Sequence, residues 1–174
     1  MRILGVDPGT GICGFGVVDF PKKGPLRLLD SGVIATPPHT PLPERLLDIF
    51  DSLCDIIDED KPDCISIEKL FFMQNITTGI SVAEARGVVM LVAAQSNLPI
   101  YEYSPNEIKK AMTGYGHADK KQMQEMVRLH LKLPEIIKPD DASDAVAAAI
   151  VHSMFSRNGD TEHETRYRDQ YKKL

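Results

Sequence analysis

Apolar positions open the chain with a period of two and continue it with a period near three and a half. Residues 2–6 (RILGV) form a β-prone run ending at Asp7, and the turn Pro8-Gly9-Thr10-Gly11 separates it from a second alternating run, 13–18. A loop holding Pro21, Gly24 and Pro25 leads into residues 26–35, which read as a third strand of an antiparallel meander. Prolines between 37 and 43 end it. From Leu42, the residues Leu46, Leu47, Ile49, Phe50, Leu53, Ile56 and Ile57 recur at helical spacing with acids between them, predicting an amphipathic helix with a solvated acidic face. Residues 63–70 (DCISIEKL) read as a buried strand entered through Lys61-Pro62 and carrying Glu68 at its far end, which suggests a parallel crossover. Residues 77–95 predict a helix whose second half, GVVMLVAA, is apolar on every side. That pattern fits either burial against its own sheet or a subunit interface.

Residues 98–103 supply a fifth strand. Ser104-Pro105 then opens a short helix in the N-cap, N1 pattern, the GYGH loop (114–117) interrupts, and 118–131 is helical again. A last helix begins near Asp140, after Pro139, and runs to about Phe155. The order predicts an α/β fold with a mixed five-stranded sheet flanked by helices, occupying residues 1–156. The polar segment 157–174 has no period and reads as a flexible tail.

Length and composition narrow the class. A chain of 174 residues, 43% hydrophobic and 26% charged, suits one globular domain. Its longest apolar run falls far short of the roughly 18 residues a membrane span needs, and MRILGVDPGT lacks the apolar stretch of a signal peptide, so a cytoplasmic protein is expected. Three cysteines without a C-x-x-C pair read as reduced and structural. The net charge of -5 argues against a nucleic-acid partner until it is divided along the chain. Residues 1–60 hold 5 basic and 10 acidic side chains, whereas 105–132 hold 6 basic and 3 acidic. The second segment is locally positive.

Four acids carry the candidate chemistry. If the first and fourth strands are parallel neighbours, Asp7 and Glu68 emerge at one sheet edge. Asp141 and Asp144, three apart, share a face in the first turn of the last helix. Four carboxylates within about 4 Å would repel by roughly 4 kcal/mol per pair at an effective dielectric near 20, so such a cluster calls for cations. Oxygen-only ligands select magnesium or manganese over zinc. The matching chemistry is two-metal phosphodiester hydrolysis, in which one ion activates water and the other stabilises the leaving 3′ oxygen. Taken singly, each acid also has a plainer explanation: a helix cap for Asp140, a dipole complement, or a turn residue for Asp7. A buried unpaired Glu68 is harder to explain that way. His152 lies about three turns from Asp141, roughly 16 Å along the helix, and reads as a core or rim residue, and His117 as an exposed loop residue.

With these residues in place, the sequence resembles the RuvC family of Holliday-junction resolvases, crossover junction endodeoxyribonucleases of ribonuclease-H-like fold. The resemblance runs through ILGVDPGTGICGFGVV, ISIEKLFFMQN, AEARGVVMLVAA, IKKAMTGYGHADKKQM and DDASDAVAAAI. It implies that the metal-binding and catalytic acids are Asp7, Glu68, Asp141 and Asp144, Asp141 being preferred to Asp140 by the alignment of DASDA. It implies DNA contacts by Lys109, Lys120 and the ring of Phe71 or Phe72, with Lys69, Arg86, Lys110 and Lys121 as helpers. It further implies two Mg2+ ions per site (Mn2+ as substitute), a homodimer, symmetric nicking of a four-way junction in recombination and repair, and cooperation with the branch-migration proteins RuvA and RuvB. Sugar kinases and actin-like ATPases share a strand-Asp-x-Gly-Thr-strand loop, but their second lobe needs a longer chain. GTGICGFG leads into a strand, not a helix, and so fails as a dinucleotide fingerprint.

Overall fold

The runs of period two pair as their turns predict. A computed structural model of the chain describes residues 1–69, 76–157 and 164–165. Strands β1 (Arg2–Asp7), β2 (Ile12–Asp19) and β3 (Arg27–Ala35) form the antiparallel meander. Helix α1 (Leu42–Asp60) then crosses to β4 (Cys64–Glu68), which lies parallel to β1, and α2 (Ile76–Gln95) crosses to β5 (Ile100–Tyr103), parallel to β4. Helices α3 (Pro105–Thr113), α4 (Lys120–Leu131) and α5 (Asp140–Arg157) follow. Strand β6 (Glu164–Thr165) pairs antiparallel with β5, so the sheet order is β3-β2-β1-β4-β5-β6. This two-residue pairing adds a sixth strand that the unpatterned tail does not predict; the rest of 158–174 lies outside the described residues.

The strand period sorts the core onto two faces. Leu4, Val6, Val17, Ile65 and Ile67 pack with Ile49 and Leu53 of α1 and Val89 and Val92 of α2. Ile3, Val18 and Cys64 pack on the other face with Ile108 of α3, Val127 of α4 and Ile150 of α5. Helix α5 is buried almost all round because the sheet beneath it lacks side chains where the two meet. Gly5 and Gly16 are register partners, and a Cβ on Gly5 would fall 1.9 Å from the Ala145 carbonyl oxygen. Alanines at 142, 145, 148 and 149 complete this close approach from the helix side.

Ser66 and His152, polar and buried in the core, both find partners. The Ser66 hydroxyl donates to the Ala148 carbonyl at 2.7 Å, and His152 Nδ1 shares a hydrogen bond of 2.8 Å with the Tyr103 hydroxyl while its ring stacks on Tyr101. His152 is thus a core residue. Cys13, Cys54 and Cys64 are free thiols, and burial pushes Cys13 and Cys64 up to about 12. Among the described residues, no helix is long and apolar enough to cross a membrane.

Candidate metal centre

Asp7 and Glu68 are the last residues of two adjacent parallel strands, in register through Val6 and Ile67, so both leave the sheet at one edge. The hairpin brings the third acid. Asp7 pairs with Gly14, and a Cβ there would lie 2.1 Å from the Asp141 carbonyl oxygen, so the missing side chain lets the first turn of α5 rest against the β1–β2 pair. Asp144 follows one turn later. Without Gly14 the helix start would be displaced from Asp7.

The electrostatics follow from that packing. Burial, then the carboxylates of Asp144, Glu68 and Asp141, push Asp7 up to about 7 against the opposing charge of Lys120. Glu68 is raised by burial and by Asp144, with Lys109 opposing. Asp144 is raised chiefly by burial, which Lys120 partly offsets. The four acids thus share one field. They do not, as they stand, converge on a point: among the described residues, no group of three or more His, Cys, Asp or Glu is arranged to hold a metal ion. The Lys120 ammonium sits among the carboxylates, paired with Asp140 and 3.6 Å from Asp144 Oδ2. Asp140, expected as a helix cap, is instead the first residue of α5, and its hydrogen bond to Lys120 holds its carboxyl below the ordinary range.

The donor set nevertheless suits a hard divalent cation, being all carboxylate oxygen, with its charge raised in energy by burial and like neighbours. A cleft of about 280 Å³ opens beside it, walled by Glu68, Asp144, Lys109 and Lys120 over an apolar floor of Ile108, Met123 and Ala147. The two lysines read from the sequence as DNA contacts therefore line the same cleft as Glu68 and Asp144. Their helices are aimed by capping boxes: Ser104 and Glu107 at the start of α3, Asp119 and Gln122 at the start of α4. Lys69, Lys110 and Lys121 are exposed. Arg86 pairs through its guanidinium with Glu102 of β5. Phe71 and Phe72 lie outside the described residues. Sequence reasoning missed Gly14 and the pairing of Lys120 with the acids; the only trace of the first was a glycine alternating along β2.

Comparison with known proteins points to one family. The sequence model of the family "Crossover junction endodeoxyribonuclease RuvC" matches residues 3–152. A relative of that name from Thermomicrobium roseum is 46% identical over 165 residues, covering 95% of this chain and 100% of the relative. One from Chloroflexus aurantiacus is 51% identical over 153 residues, covering 88% and 93%. The structure of Thermus thermophilus RuvC in complex with Holliday junction substrate is similar with a TM-score of 0.86 and 33% identity, over 91% of this chain and 96% of that one.

Proposed function

Because this chain belongs to the family of crossover junction endodeoxyribonucleases RuvC, with its ribonuclease-H-like fold, we propose that the acid-lined cleft resolves four-way DNA junctions by divalent-ion-dependent phosphodiester hydrolysis. The observation that carries the reading is the shared field of Asp7, Glu68, Asp141 and Asp144 at one sheet edge. Those four side chains would hold Mg2+, two ions per site with Mn2+ as substitute, which would supply an acidified attacking water and stabilise the leaving 3′ oxygen. Lys109 and Lys120 bind the DNA backbone at the cleft mouth, and Lys120 exchanges its carboxylate partners for phosphate as it does so. The ring of Phe71 or Phe72, in the sequence between β4 and α2, stacks on an unpaired base.

Two symmetric nicks require two equivalent sites, which a twofold homodimer provides. Helix α2 offers the surface: Ala85, Val89, Val92 and Ala93 face the core, while Ile80 at 55% and Leu91 at 59% exposure lie on the other side with Ala83 and Gly87. The protein works in the cytoplasm in recombination and repair, with residues 1–156 as the nuclease domain and RuvA and RuvB as branch-migration partners. The test is incubation of a synthetic four-way junction and a linear duplex with and without Mg2+. Junction-selective, ion-dependent nicking is expected, with Asp7→Asn binding the junction but leaving it uncut. Cutting by that variant at the normal rate would remove Asp7 from the site.

A further inference from the structure

The 8–11 turn follows Asp7 directly, so whatever holds the turn also sets how that carboxylate leaves the sheet. The turn is tight, since a Cβ on Gly9 would fall 2.3 Å from the Ile12 carbonyl oxygen. On one side, Thr10 Oγ1 shares a hydrogen bond with Ser81 Oγ of α2. On the other side stands Arg45 of α1. Its Nη2 donates to the Thr10 carbonyl at 2.7 Å and its Nε donates to Thr36 Oγ1 at 2.8 Å. Thr36 closes the triangle: its hydroxyl donates to the same Thr10 carbonyl at 2.5 Å, and its N–H donates to the Gly11 carbonyl at 3.0 Å. Thr10 and Thr36 are both 6% exposed, so these groups have no bulk water to fall back on.

The choice of partners is informative. Helix α1 carries acids at 44, 48, 51, 55, 58, 59 and 60, yet the ion pairs among the described residues do not include Arg45. A half-buried guanidinium is directed instead at neutral oxygens, using its fixed fork to span two acceptors that a lysine could not hold together. Strand pairing and the Ser81 bond remain when Arg45 is removed, so the hairpin survives while its tip loses one of its two lateral supports.

We infer that Arg45 is a positioning residue for junction cleavage: by clamping the Thr10 carbonyl, both directly and through Thr36, it fixes the turn behind Asp7 and so aims that carboxylate into the acid cluster. This rests on the nuclease reading above. Supporting groups of this kind typically alter activity or metal affinity by about 10- to 100-fold when removed.

The experiment compares the full-length wild type with Arg45→Ala, Arg45→Lys, Thr36→Val and the Ala/Val double variant. Single-turnover junction cleavage in Mg2+, junction affinity in chelator, and the rise in melting temperature caused by Mn2+ alone are measured. Cleavage in Arg45→Ala and Thr36→Val should fall about 10- to 100-fold, as for other supporting residues. Junction affinity should stay within about twofold, and the Mn2+-induced rise should need higher ion concentrations. The lysine variant should not restore the rate, and the double variant should be no slower than Arg45→Ala alone, because the two residues act as one unit. Normal cleavage and a normal Mn2+ response in Arg45→Ala, with only a lower melting temperature in chelator, would make the residue merely structural and overturn the inference. Full rescue by lysine would overturn the fork. A wild type that leaves the junction uncut with ion present overturns the nuclease reading, and this inference with it.

Discussion

At Asp7, burial and three neighbouring carboxylates all oppose ionisation, and the direction of the shift fixes what pH must do to the metal-free protein. The folded-state value of about 7 lies above the ordinary 3.8, so the folded chain binds this proton more tightly than the unfolded one does. Stability from this group is therefore complete below 3.8, declines as pH rises, and is lost above about 7. At about 1.4 kcal/mol per unit, the full penalty is about 4 kcal/mol. In chelator at pH 8, Asp7→Asn should melt above the wild type, and its advantage should shrink toward pH 4; equal melting at pH 8 would mean the acids do not crowd one another. A second residue acts by having no side chain. Gly14→Ala places a methyl group 2.1 Å from the Asp141 carbonyl oxygen, so α5 must shift. About 1–3 kcal/mol of stability should be lost to overpacking in urea titrations, together with most of the cleavage rate.

The elements carry their own tests. In α3, the Ser104 hydroxyl accepts from the Glu107 N–H at 3.2 Å while the Glu107 carboxylate accepts from the Ser104 N–H at 2.7 Å. Ser104→Ala should cost about 1 kcal/mol in urea unfolding, with cleavage nearly unchanged, since the helix carrying Lys109 stays docked through Ile108 and Met112. A loss of cleavage larger than the loss of stability would mean that the cap sets the lysine's aim directly. Helix α2 shows where pattern reasoning stops. An all-round apolar helix admits both core and interface, and the fold assigns its two sides to different surroundings, Val89 and Val92 inward, Ile80 and Leu91 outward.

For the whole molecule, charge distribution outweighs charge sum. A chain of net charge -5 presents Lys109 and Lys120 at one opening. Lys109→Ala and Lys120→Ala should each weaken junction binding and flatten the slope of log affinity against log salt by about 1, as each lost phosphate contact does. Unchanged affinity at all salt concentrations would place them off the DNA path. Leu91→Glu should shift the protein to monomer in sedimentation, with any fall in melting temperature confined to concentrations at which the wild type is dimeric, because the side chain is exposed within one subunit. Dimers that persist would move the interface elsewhere.

Much of this was legible in residue order alone, because strand and helix periods, turn glycines, capping pairs and the oxygen-only character of four acids are local properties of short segments. The five principal strands, the five helices and the placement of Asp7 and Glu68 at strand ends came from such signals. What only the folded chain decided depends on partners far apart in sequence: α5 seated on Gly5, Gly14 and Gly16, Lys120 drawn to Asp140 and Asp144, Arg45 and Ser81 closing on the turn, and Glu164–Thr165 finding the edge of β5. Those contacts follow from register and close packing. Neither has a period to read, since each is set by which surfaces meet once the sheet has formed.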